Sequence, residues 1–210
     1  MTLIKAVCFD FDGVLIDSIE AMQIAWETVK VKFKILNSFA EYSLHIGKPF
    51  ECILKELSIN PHYWSEIAKV YSQAASENSD LVRLMPYAID ILDWIKSKKI
   101  KVGLVTSKNQ QRTYQLLNNF NLKLDIIVTP ELTFKGKPSP EPLIYASKRL
   151  EVDINNILFV GDMNSDMEAA KAAKTKYLHY NNGYQQQEFP PYGGLIHSLF
   201  EIREYIQQAR

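Results

Sequence analysis

Four short stretches of this chain are apolar almost without a break: Leu3–Phe9, Lys101–Val105, Leu124–Val128 and Asn156–Val160. A strand with one wet face alternates apolar and polar residues, whereas a strand covered on both faces does not. These four therefore read as buried parallel strands. Lys176–Tyr180 is a fifth, weaker candidate. Helical patterns separate them. Pro86 suits an early helical position, and Ile89, Leu92 and Ile95 recur after it at helical spacing. Gln110–Phe120, Pro142–Leu150 and the alanine-rich Asp166–Lys174 follow, and Leu199, Ile202 and Ile206 stripe an amphipathic C-terminal helix. Strand, helix, strand in this order predicts an α/β chain, a Rossmann-like open parallel sheet with helices on both faces.

One segment breaks the alternation. From Asp17 to Leu84 there is no strand-like run, only the helical patterns Ile19–Phe33, Phe50–Leu57 and Tyr63–Ser76. That is too long for a crossover, so an inserted all-helical cap domain is expected over residues 17–84. Residues 1–16 and 85–210 then form the core. Asn37, Gly47, Pro49, Asn60 and Pro61 punctuate the insertion. The polar run Asn181–Gly194 reads as a surface loop, and Tyr180, Tyr184 and the three glutamines after it border the cleft without a legible chemistry.

Charge and cysteine content exclude several function classes. Lys plus Arg number 24, as do Asp plus Glu. A nucleic-acid binder carries a basic excess and a polybasic membrane anchor carries a cluster, and neither is present. The expected partner is a small molecule. Leu3–Ile16 resembles a signal peptide only superficially, because Asp10 and Asp12 interrupt it and no small-residue cleavage site follows. No apolar run is long enough to span a bilayer. Cys8 and Cys52 fit no metal-ligand spacing, and Cys8 lies in an apolar run where a buried reduced thiol is expected. A cytoplasmic protein follows, with a monomer or a weak homodimer as the expected state.

Ligands of open parallel sheets bind beyond the carboxyl ends of the strands. There the first strand delivers Asp10-Phe11-Asp12-Gly13, the second Thr106-Ser107-Lys108-Asn109, and the fourth Gly161-Asp162-Met163-Asn164-Ser165-Asp166. The loop before the fourth-strand unit supplies Lys135-Gly136-Lys137-Pro138. Asp10, Asp12, Asp162 and Asp166 on one rim repel one another unless a hard divalent cation sits among them. Oxygen ligands with room for phosphate suit Mg2+.

These segments resemble the four motifs of the haloacid dehalogenase superfamily, in the branch whose helical cap lies between the first and second motifs. This is the branch of the phosphoglycolate phosphatases and β-phosphoglucomutases. Asp10-Phe11-Asp12-Gly13-Val14-Leu15-Ile16-Asp17-Ser18 is close to its usual opening, and the likeness spans essentially the whole chain. The resemblance implies a magnesium-dependent phosphatase of a small phosphorylated metabolite. Asp10 is then the nucleophile that becomes an acyl phosphate, and Asp12 the acid that protonates the leaving oxygen and the base that activates water. Gly13 lets the backbone approach the phosphoryl oxygens. The Thr106 hydroxyl and Ser107 amide hold those oxygens, and Lys137 offsets the charge. Asp162, the Asp10 carboxylate and the Asp12 carbonyl bind the metal, and Asp166 ligates through water or orients Lys137.

Blander readings stand beside these. Asp-x-Asp-Gly after a strand is often a polar turn, Thr106-Ser107 could cap the next helix, and Asp162 and Asp166 could be an acidic first turn on a helix dipole. Lys135 competes with Lys137, and the resemblance favours the latter because it directly precedes Pro138. In the cap, His45-Ile46-Gly47-Lys48-Pro49 resembles the loop that reaches over the site, which makes His45 or Lys48 a candidate substrate contact. Trp26, Trp64 and Tyr71 fit cap core better than a ligand platform. A dehalogenase lacks the second aspartate, which is present here as Asp12. A phosphomutase uses a histidine on the first cap helix, where this chain has Met22. A non-catalytic module would lose one of Asp10, Asp12, Lys137 or Asp162, and a protein phosphatase needs a more open site. Phosphoglycolate, hexose phosphates and nucleoside monophosphates all remain open as substrates.

Overall fold

The computed structural model of the chain describes residues 3–188 and 192–208. In chain order its strands and α-helices are β1 (Ala6–Phe9), β2 (Ile16–Asp17), α1 (Ile19–Phe33), α2 (Phe39–Ser43), α3 (Phe50–Glu56), α4 (Trp64–Glu77), β3 (Arg83–Leu84), α5 (Ala88–Ser97) and β4 (Lys101–Val105). They continue with α6 (Gln110–Asn119), β5 (Ile126–Val128), α7 (Glu141–Leu150), β6 (Ile157–Gly161), α8 (Asn164–Ala173), β7 (Lys176–Tyr180), β8 (Gly194–Ile196) and α9 (Ile202–Gln208).

The main sheet runs β5-β4-β1-β6-β7-β8, parallel throughout. The first strand is therefore central: Ala6 pairs with Lys101 on one side and Ile157 on the other. The chain first builds outward through β4 to β5, then returns across β1 to begin β6. This reversal of winding opens a crevice at the carboxyl ends of β1, β4 and β6. Both faces of β1 are apolar, as its unbroken hydrophobicity requires. Val7 and Phe9 join one core layer with Ile91 and Leu92 of α5, Leu116 of α6 and Ile202 of α9. Ala6 and Cys8 join the opposite layer with Leu143 and Ala146 of α7 and Ala169 and Ala170 of α8. Burying a side chain such as Phe9 or Val160, both with no exposed surface, contributes about 1.5–3 kcal/mol. Burial also pushes the Cys8 thiol up to about 12, so it stays an inert core residue.

Helices α1 to α4 lie between β2 and β3, the antiparallel pair Ile16↔Leu84 and Asp17↔Arg83 through which the chain leaves and re-enters the core. They bury a separate cluster of Met22, Trp26, Val29, Tyr42, Leu54 and Ile67, against which Trp64 and Tyr71 pack. The two tryptophans are structural, as expected. Trp26 Nε1 donates to Asn37 O at 3.0 Å and Trp64 Nε1 to Ile59 O at 2.9 Å.

Three local readings need correction. The helix after Pro86 begins at Ala88, because the Met85 N–H is held by Leu15 O at 3.0 Å and Tyr87 turns left-handed at φ 64°. Asn181–Gly194 is not a plain surface loop: Gly194 opens β8, whose residues pair with Leu178–Tyr180, and much of the rest folds against the site described next. Residues 189–191 of that run lie outside the described residues. The segment to Leu84 also contains β3, too short for any periodicity to register. No helix among the described residues is long and apolar enough to cross a membrane.

Candidate active site

Asp10 follows β1 directly and is still tied to the sheet, its N–H donating to Val160 O at 2.8 Å. Its carboxylate is almost fully buried and meets Lys137 Nζ at 2.8 Å. The same ammonium donates to Asp166 Oδ1 at 2.5 Å. Lys137 is thus the buried lysine of its loop, while Lys135 is exposed. Burial opposes the Lys137 charge, but Asp10 and Asp166 together hold its pKa above the ordinary lysine value.

Asp10, Asp162 and Asp166 bring carboxylate oxygens within 4.8 Å of one another. Burial, then repulsion from Asp166, pushes Asp10 up to about 7 against the pull of Lys137. Burial and the charges of Asp166 and Asp10 hold Asp162 well above the carboxylate range. One ammonium therefore underbalances the cluster. Asp162 Oδ1 is buried and finds no hydrogen-bond partner, which is unfavourable for a carboxylate oxygen unless a cation takes it. The donor set fits a hard metal ion.

Asp166 is held on both oxygens. Its Oδ1 holds Lys137, and its Oδ2 accepts from the backbone N–H of Asp162 at 3.2 Å and of Met163 at 3.0 Å. These contacts fit the orienting reading, and its place with Asp10 and Asp162 fits the ligating one as well. As third residue of α8 it also caps that helix, as the acidic-turn reading had it.

Asp12 stands apart from the three carboxylates. Its Oδ1 accepts from Ser18 Oγ at 2.5 Å and its Oδ2 meets Lys108 Nζ at 3.1 Å. Between Asp10 and this pair the chain turns tightly, with Gly13 N donating to Ile16 O at 2.8 Å. Gly13 has φ +79°, and a Cβ there would collide with the Asp162 carboxylate. Only glycine fits so close an approach.

At the end of β4 the Thr106 hydroxyl is buried and accepts from Lys108 N at 3.1 Å. The next helix, α6, is capped instead by Asn109, which accepts from Arg112 N at 2.9 Å. Ser107 Oγ donates to Gly47 O of the cap at 2.5 Å. A Cβ on Gly47 would come within 2.6 Å of Ser165 Oγ, so this loop lies directly on the core rim. Its charged residues do not join the carboxylates. Lys48 Nζ is engaged by Glu56 at 3.1 Å, and it lowers the Glu56 pKa together with the nearby His45.

Lys108, Ser18 and Tyr184 belong to the site but carried no role in the sequence. Tyr184 N donates to Asp162 Oδ2 at 2.6 Å, and its hydroxyl accepts from Ser18 N at 2.7 Å. Ser18 closes the quoted opening motif, Lys108 lies in the segment after the second strand and Tyr184 borders the cleft, and none of these placements carried a chemistry.

The sequence profile of the haloacid dehalogenase-like hydrolases matches residues 7–180. A phosphoglycolate phosphatase of Nitrosococcus oceani is 27% identical over 220 aligned positions, covering 98% of this chain and 97% of its own. A Clostridium perfringens protein provisionally named pyrophosphatase PpaX is 34% identical, over 83% of this chain and 82% of its own. Among solved structures, a provisionally assigned haloacid dehalogenase-like hydrolase from Bacteroides fragilis superposes with a TM-score of 0.85 at 25% identity, over 95% of this chain and 99% of the other.

Proposed function

The chain belongs to the haloacid dehalogenase-like hydrolase family and is a phosphatase, and from that premise we propose that it hydrolyses a small phosphorylated metabolite through an acyl phosphate on Asp10. One observation carries the reading: the Asp10 carboxylate faces Lys137 at 2.8 Å, in a cluster of three carboxylates that this one ammonium does not balance. In the first step an Asp10 oxygen forms a bond to phosphorus as the ester oxygen departs, and Asp12 gives that oxygen its proton. In the second, Asp12 takes a proton from water, which attacks phosphorus and frees Asp10. Thr106, the Ser107 amide and Gly13 hold the equatorial oxygens, and Lys137 offsets their charge. Magnesium, held by the Asp10 and Asp162 carboxylates and the Asp12 carbonyl, would draw charge from the transferring phosphoryl group.

We assign residues 17–84 to a cap that admits small substrates, its loop at Gly47 lying over Ser107, with no role for nucleic acid or membrane. The enzyme is taken to be cytoplasmic, as a monomer or weak homodimer. Hydrolysis is favoured over phosphomutation because Met22, at the place of the mutase histidine, is buried in the cap cluster and has no proton to relay. Phosphoglycolate is the first substrate to try, on the name of the Nitrosococcus relative. Phosphoglycolate, hexose phosphates and nucleoside monophosphates assayed with magnesium and with chelator test the reading. Turnover of at least one, abolished by chelation, is expected, and full turnover after exhaustive chelation contradicts it.

A second test concerns metal and stability. The raised pKa of Asp162 means that its charge opposes folding in metal-free protein, absent below the unfolded carboxylate pKa and growing as pH rises through the folded one. Asp162→Asn should therefore stabilise the metal-free protein at pH 8 and raise its melting temperature. The gain should shrink on acidification. Magnesium should raise the melting temperature of wild type and leave the variant unmoved. Calorimetry showing a metal-free variant that melts below wild type contradicts the metal assignment.

A further inference from the structure

Tyr184 lies in the polar run that the sequence left without a chemistry. Its backbone N–H donates to Asp162 Oδ2 at 2.6 Å, and the preceding Gly183 passes so close that a Cβ there would collide with the Asp162 side chain. The neighbouring turns are pinned to the core. His179 Nε2 bonds Gln185 O at 2.7 Å, Gln185 Oε1 accepts from Asn164 N at 2.7 Å, and Gln187 Nε2 donates to Asn164 Oδ1 at 2.6 Å.

At its other end the Tyr184 hydroxyl reaches the start of α1. It accepts from Ser18 N at 2.7 Å, faces Asp17 Oδ1 at 3.3 Å and lies 3.4 Å from Ser18 Oγ. Ser18 is the N-cap residue of α1, yet its side chain makes no capping bond. An N-cap serine ordinarily turns its hydroxyl back onto the helix. Here the Ser18 hydroxyl donates to Asp12 Oδ1 at 2.5 Å instead, while the backbone on either side of it is held by Tyr184, which takes the Ser18 N–H, and by Asp17, which takes the Ile19 N–H at 3.1 Å.

We propose that Tyr184 is a positioning residue for Asp12: by bridging the Asp162 loop and the entry to the cap, it fixes the Ser18 backbone and so aims the Ser18 hydroxyl that holds Asp12 for leaving-group protonation. This rests on the acid–base role proposed for Asp12. Lys108 holds the other Asp12 oxygen, so loss of the Tyr184 hydroxyl loosens the carboxylate without releasing it.

The test is the first-turnover rate of leaving-group release from two esters with the magnesium-loaded protein. 4-Nitrophenyl phosphate departs without a proton, whereas phenyl phosphate leaves an oxyanion as basic as tyrosinate and needs one. Tyr184→Phe should slow release from phenyl phosphate by about tenfold or more and change 4-nitrophenyl phosphate much less. Ser18→Ala should do the same, and the double variant should be no worse than either single, because both act through one contact. Ser18→Thr, which keeps the hydroxyl, should restore the wild-type ratio, and circular dichroism melting checks that each variant is folded. Tyr184→Phe slowing both esters alike, or additive losses in the double variant, overturns the proposal. If Asp12→Asn shifts the ester ratio and Tyr184→Phe does not, Tyr184 alone is misassigned. If Asp12→Asn leaves the ratio unchanged, the acid–base role fails and the role of Tyr184 with it.

Discussion

Asp10→Asn should abolish turnover, with a loss on the order of 10⁴ or more, the scale seen when a covalent catalytic unit is broken. The amide has nearly the same volume and can still sit beside Lys137, so the fold has no reason to fail. It cannot attack phosphorus, and it gives up one oxygen ligand for the metal. Burial and neighbouring carboxylates push Asp10 up to about 7, so removing its charge should leave metal-free protein at pH 8 no less stable than wild type. A dead enzyme of undiminished melting temperature is the expected combination. An Asp10→Asn protein with a tenth of wild-type activity would place the nucleophile elsewhere.

The largest loss of stability should come from Lys137→Met. The ammonium is almost wholly buried between Asp10 at 2.8 Å and Asp166 at 2.5 Å, with the Phe159 ring beneath it at 5.8 Å. Methionine fills similar space but leaves two buried carboxylates facing each other. Breaking a buried ion pair from one side costs about 3–5 kcal/mol, which for a chain of this length is roughly 10 °C or more. The sign with pH is fixed by the same groups. Without the cation, Asp10 loses the partner that pulls against its burial and binds its proton more readily in the folded state, so the deficit should be greatest at alkaline pH and shrink as pH falls. Activity should drop about 10³-fold, because charge on the transferring phosphoryl group loses its fixed partner. Calorimetry across pH 5 to pH 9 checks the stability claim. An unchanged melting temperature at pH 8 would mean that Lys137 is not the counter-charge of this site.

What was legible in the sequence followed from where parallel strands end. Asp10, Thr106 and Asp162 each stand just past a buried apolar run, so locating the runs located the residues. Lys137 was legible only through its motif, since nothing in a loop lysine announces burial. The contacts that hold Asp12 were out of reach for a different reason. Ser18 and Tyr184 are 166 positions apart in the chain, and no periodicity links a polar loop to the first turn of a distant helix. Lys48 shows the converse. Its place in the loop over the site suggested a substrate contact, and nothing in that loop announced the pairing of its ammonium with Glu56, eight residues on. Strand β8 was missed because three residues beginning with glycine carry no pattern of their own.

The central claim is that phosphate passes through Asp10, and trapping it there is the most direct test. Asp12→Asn keeps the nucleophile and removes the group that protonates the leaving oxygen and activates water. With 4-nitrophenyl phosphate, transfer to Asp10 should proceed while hydrolysis of the acyl phosphate stalls. A short incubation with magnesium followed by an acid quench and peptide mass spectrometry should find one phosphate on the peptide containing Asp10, after a burst of about one equivalent of nitrophenol. Phosphate on Thr106, Ser107 or a histidine, or no phosphoprotein during a burst, would contradict the mechanism even in an active phosphatase.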